Sequence, residues 1–112
     1  MDWDTFKFDA EAIASGICEW VAVESPTYNA NAVNKMMDLA ESLMSNMGAD
    51  IVRTPGSVGY GDALQASLGF DHGPQKAGIL ILGHLDTVHL EGTLSEELPI
   101  RREGDKLFGP GV

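Results

Sequence analysis

The run from Ala77 to Val88 constrains the fold more than any other stretch of this chain. Ile79, Leu80, Ile81 and Leu82 are four consecutive apolar residues with no polar alternation, the pattern of a strand buried on both faces at the centre of a sheet. Gly83 closes the run, and two chemically capable side chains follow at once, His84 and Asp86. In open α/β sheets, ligands gather where central strands end at their carboxyl edge. In an extended chain residues i and i+2 point to the same side, so His84 and Asp86 can face one another. An imidazole that binds a metal through one nitrogen usually gives its other N–H to a carboxylate or carbonyl, which fixes the tautomer and strengthens the ligand. His84 is therefore a candidate metal ligand with Asp86 as its partner. The same short pattern also suits a surface histidine or one satisfied within a core.

At 112 residues the chain amounts to at most one small domain with a modest core. Its apolar and charged fractions, 44% and 21%, are those of an ordinary globular protein. The net charge of −10 excludes the basic surface that nucleic acids or anionic membranes require. No apolar stretch reaches the length of a membrane span. The acidic start, Met1 to Asp4, lacks the cationic and then apolar pattern of a signal region, which points to a cytoplasmic address. The single cysteine, Cys18, rules out an internal disulfide or a Cys-rich zinc cluster and fits a small buried hydrophobe better than a reactive thiol.

Two helices come first. Asp9 can cap a helix carrying Ile13, Ile17, Trp20 and Val21 on one stripe, ended by Ser25-Pro26. Val33, Met36, Met37, Ala40, Leu43, Met44 and Met47 mark one face of a second helix, with Gly48 as its terminator. That methionine-rich face suits packing on a sheet, or alternatively an adaptable groove for a partner. Ile51 and Val52 begin a strand ended by Pro55 and Gly56. Ser57 to Gly61 reads as a turn without the lysine of a phosphate loop, and Leu64 to Phe70 alternate as a second strand. His72 falls in an exposed turn. After the central run, Leu98–Arg102 and Lys106–Phe108 predict a hairpin turning at Gly104, with Arg101 and Arg102 solvated. The element order predicts an α/β fold, two helices packed on a mixed sheet with a central buried strand.

The run Leu80 to Val88 resembles the first metal motif of the M20 family of zinc peptidases and amidohydrolases. Glu103 to Val112, ending Gly109-Pro110-Gly111-Val112, resembles the lead-in to that family's second motif, where a Gly-x-Gly turn precedes a zinc-bridging aspartate. His89 to Leu94 is most similar to the glutamate carboxypeptidase branch, and Ser25-Pro26-Thr27 is similar to the loop after the family's first helix. The resemblance implies a zinc-peptidase catalytic domain of which residues 1–112 are the N-terminal portion, with the rest of that domain and a smaller dimerisation domain lying beyond Val112. It implies hydrolysis of amide or peptide bonds with two zinc ions, by an exopeptidase that releases a C-terminal amino acid such as glutamate. The substrate would be a peptide or an N-acyl amino acid, and homodimerisation would run through the absent domain. His84 would then be a zinc ligand and Asp86 a catalytic residue acting by orienting His84, while Gly109 and Gly111 would shape the turn.

A zinc site takes three or four protein ligands, and this chain offers His84 without a convincing companion. His89 falls at a non-ligand position of the motif, and Glu96 and Glu97 read as solvated loop charges. The 112 residues alone are accordingly expected to lack hydrolase activity and to bind zinc weakly. The alternative is a non-catalytic binding or assembly module with the same partial fold, using the methionine face or an unpaired sheet edge.

Overall fold

The computed structural model describes residues 5–69 and 78–112. Helix α1 spans Ala10–Val21, and Asp9 caps it: its carboxylate accepts the N–H groups of Glu11 and Ala12, each at 3.0 Å. Helix α2 spans Ala30–Asn46, capped by the side-chain oxygen of Asn29 on the Ala32 N–H. Met47 closes α2, and Gly48 follows at φ 85°, a left-handed conformation that glycine takes without a Cβ clash.

The methionine face packs on a sheet. Strands β1 (Asp50–Thr54) and β2 (Ala63–Ser67) pair antiparallel, with Asp50 opposite Ser67 and Thr54 opposite Ala63, and α2 lies against both. Ala32, Val33, Met36, Met37 and Ala40 of α2 form the buried core. The stripe loses its cover toward its end: Leu43 and Met44 are half-buried, and Met47 is exposed. Arg53 of β1 fastens this unit, bonding Asp62 at 2.8 Å, Glu41 at 2.9 Å and also Asp38. The 57–61 segment is a turn, with the Tyr60 N–H on the Ser57 carbonyl at 2.9 Å.

A second antiparallel pair joins β3 (Arg101–Glu103) to β4 (Lys106–Phe108) around Gly104. Its two arginines are exposed, as expected, and both also have partners. Arg102 holds both carboxylate oxygens of Glu11 at 2.6 and 2.7 Å, which ties this hairpin to α1. Arg101 stacks 4.0 Å above the centre of the Phe108 ring.

The layers are α/β, but the mixed sheet with a buried centre does not form. Among the described residues the sheets are two separate antiparallel pairs. Ile79, Leu80, Ile81 and Leu82 lie outside any strand, between 79% and 91% exposed. The physical reason is pairing. A strand buried on both faces needs hydrogen-bonded neighbours on both edges and a layer over each face. Here β1 pairs with β2 alone and β3 with β4 alone, and among the described residues the 79–82 run joins neither pair and so gains no cover. The parallel geometry expected there survives only at one bridge, Pro26 with Thr87.

Smaller differences follow the same logic. Cys18 is half-buried, because α1 carries no fully buried residue. Glu96 ends a one-turn helix, α3 (Thr93–Glu96), and Glu97 caps it; both stay exposed. The end of β2 at Ser67 is three residues short of Phe70, which with His72 lies outside the described residues. Among the described residues no helix is long and apolar enough to cross a membrane.

Candidate functional site

The segment from Glu24 to Thr27, just after α1, runs beside residues 85–87 and carries the site. Thr87 donates its N–H to the Ser25 carbonyl at 2.8 Å, and Thr27 returns its N–H to the Thr87 carbonyl at 3.0 Å. Pro26 has no N–H to give, which suits a strand that pairs along one edge only. Two side chains reinforce this short ladder. The Ser25 hydroxyl, in a residue only 2% exposed, donates to the Leu85 carbonyl at 2.6 Å. The Thr27 hydroxyl donates to Asp86 Oδ2 at 2.7 Å.

His84 and Asp86 come together on this edge. His84 Nδ1 lies 3.2 Å from Asp86 Oδ1 and 3.0 Å from the Asp86 backbone carbonyl. Both neighbours are acceptors, so Nδ1 carries the proton in the neutral ring and Nε2 keeps its lone pair. The His84 side chain is 84% exposed and Asp86 only 32%, so the pair presents a solvent-facing imidazole on a sheltered carboxylate. The Thr27 hydroxyl, more than His84, holds the Asp86 carboxyl below its usual range and so keeps it ionised.

Glu24 anchors the chain beyond the pair. Its carboxylate accepts the Gly92 N–H at 3.0 and 3.1 Å and the Leu94 N–H at 2.9 Å, the free donors at the start of α3. These two amides pull the Glu24 carboxyl below its ordinary range.

A largely apolar cavity of about 620 Å³ opens beside the pair. One wall is the stripe of α1, including Ile13, Ile17 and Trp20; the other runs from His84 to Leu90. Pro110, Gly111 and Val112 close one side. The last turn is built for close approach: a Cβ on Gly109 would come within 2.8 Å of Val21, and Gly111, at φ 82°, would set one 3.2 Å from Thr87. The two stretches singled out in the sequence thus meet at one cleft. His89 lines it half-buried.

The donor set fits one metal-ligand position, His84 Nε2 backed by Asp86. Among the described residues no group of three or more His, Cys, Asp or Glu side chains converges to hold an ion. The sequence marked Ser25-Pro26-Thr27 only as a loop after the first helix, and gave Glu24 no role. One signal was present: two hydroxyls at i and i+2 around a proline share one side of an extended segment, well placed to brace a neighbouring strand.

No family model matches the chain. The chain is similar to carboxypeptidase G2 of Pseudomonas sp. (strain RS-16), with 29% identity over 102 residues. That alignment covers 90% of this chain and 24% of the carboxypeptidase, so the chain spans about a quarter of its relative's length. This likeness supports a carboxypeptidase-like relationship.

Proposed function

We propose that residues 1–112 form the N-terminal portion of the catalytic domain of a zinc-dependent amide-bond hydrolase of the M20 type. The carrying observation is the His84–Asp86 pair, in which Nδ1–H donates to Asp86 and leaves the Nε2 lone pair free beside an apolar cleft. In this reading His84 is a zinc ligand, and Asp86 fixes its tautomer and raises its basicity. Zinc bound there supplies a water of lowered pKa and polarises the scissile carbonyl. The remaining ligands and the general base lie outside residues 1–112, and so does any dimerisation domain. The similarity to carboxypeptidase G2 favours an exopeptidase that releases a C-terminal amino acid such as glutamate from a peptide or N-acyl amino acid.

Calorimetry with zinc on this chain and on His84→Ala tests the assignment. The expected result is weak binding that depends on His84, with no hydrolysis of an N-acyl glutamate by either protein. Equal titrations of the two proteins would remove His84 as a ligand. Turnover by the chain that His84→Ala abolishes would show the catalytic set to be complete within these residues.

A further inference from the structure

Asp86 has two oxygens and two jobs. Oδ1 meets the His84 ring, while Oδ2 is held by Thr27. A carboxylate turning freely about its last bond would present either oxygen at any angle, because that torsion is broad and two-fold. Here the Thr27 hydroxyl holds Oδ2, while the Asp86 backbone and the His84 ring bond the carboxylate as well. The Thr27 hydroxyl has one proton and two acceptors in reach, Asp86 Oδ2 at 2.7 Å and the Thr87 carbonyl at 3.0 Å. The Thr87 carbonyl already receives the Thr27 N–H, and the carboxylate is both nearer and charged, so the proton goes to Asp86.

Thr27 is itself held firmly. Its backbone is pinned to Thr87, and Pro26 fixes φ just before it. Asn29 turns back with its N–H on the Pro26 carbonyl at 2.9 Å. A β-branched side chain on such a backbone has few rotamers to choose from. The hydroxyl is thus a fixed post against which the carboxylate aligns.

We infer that Thr27 is a positioning residue for His84: its hydroxyl orients Asp86 so that Oδ1 joins the Asp86 backbone carbonyl in holding Nδ1–H, and Nε2 is left as the ring's free lone pair. Its functional meaning rests on His84 being a metal ligand, but the hydrogen-bond chain is measurable without metal. Ring nitrogen NMR on the metal-free, nitrogen-15-labelled chain reads the tautomer directly. Read on the neutral ring, the unsubstituted protein is expected to be mainly Nδ1–H. Thr27→Val, which keeps the shape and deletes the donor, lowers the ratio of Nδ1–H to Nε2–H forms about fivefold, the size expected for one loosened hydrogen bond. Thr27→Ser restores that ratio to within about twofold, because the donor alone matters.

An unchanged ratio in Thr27→Val overturns the inference, and so does a Thr27→Ser ratio as low as that of Thr27→Val. Asp86→Asn gives a second reading with Thr27 intact. With the Thr27 hydroxyl on its carbonyl oxygen, the new amide turns its NH2 toward Nδ1, and the ratio of Nδ1–H to Nε2–H forms falls, with the Asp86 backbone carbonyl left as acceptor for Nδ1. Retention of the unsubstituted ratio in Asp86→Asn would show that the Asp86 backbone carbonyl alone sets the tautomer, and would overturn the inference. The failures separate cleanly. Equal zinc titrations of the chain and His84→Ala remove the ligand role and leave the tautomer result standing. Unchanged tautomers beside His84-dependent zinc binding remove Thr27 alone.

Discussion

The two halves of this molecule are built from similar materials and finished to different degrees. Around α2, β1 and β2, five side chains are buried and an arginine ties the helix to both the strand and the following loop. Around α1 and residues 79–90 the chain is just as apolar, yet α1 buries nothing fully and Ile79 to Leu82 stand in the open. The difference lies in who supplies the partner. Helix α2 finds its sheet in the next twenty residues, whereas α1 faces a cleft and the 79–82 run has no neighbouring strand among the described residues. Apolar character decides that a segment seeks cover; topology decides whether it finds any.

The largest expected effect breaks or upholds this contrast. Met36→Ala removes a side chain that is 3% exposed, and it should destabilise by about 2–3 kcal/mol, the lower part of the usual range, because Met36 also borders the cavity. Ile81→Ser, at a position 88% exposed, should stay within about 0.5 kcal/mol. Urea unfolding of both variants decides it. A comparable loss for Ile81→Ser would mean that the run is covered in solution and that the two halves are alike.

Ser25→Ala comes next, because it cuts a buried bond between the α1 side and the site segment. It should cost about 1–2 kcal/mol, since the Leu85 carbonyl loses its partner in a sheltered place. Amide exchange should quicken at Thr87 and Thr27 while β1 and β2 keep their protection. Uniform quickening throughout would mean that the halves open as one unit.

The smallest effect is acidic. The Glu24, Asp86 and Asp62 carboxyls all lie below their ordinary values in the folded state. The unfolded chain therefore binds more protons as pH falls through the carboxylate range, about 4. The stability these groups contribute is complete above that range and is lost as pH drops through their folded values. Glu24→Gln should flatten this acid limb for the open half, measured as the urea midpoint against pH. An unaltered limb would take Glu24 out of the acid sensitivity and leave it to the other lowered carboxyls, Asp86, Asp62 and Glu11.

What the sequence disclosed follows the same division. Asp9 as a cap, the methionine stripe, the strand at Ile51 and Val52 and the turn at Gly104 could all be read, because each depends on residues a few positions away. The buried central strand could not. Its pattern states a preference, and burial needs partners that local spacing does not specify. Within the site, the His84–Asp86 approach was legible from the two-residue spacing. The support of Asp86 by Thr27 was not, since 59 residues separate them and a Ser-Pro-Thr turn is common in any loop. Glu24 was hidden for the same reason, 68 residues from the amide it holds.

The Arg102–Glu11 pair spans 91 residues, and it gives the molecule a clock. During synthesis at roughly 5–20 residues per second, α2 meets β2 within a few seconds of emerging. Helix α1 is made first and fastened last. Its apolar stripe waits roughly 3–12 seconds for the 60 residues that bring Leu85 to Ser25, and longer still for Arg102 to reach Glu11. For that interval the apolar stripe of α1 waits without its partners, open to a chaperone that favours short apolar helices.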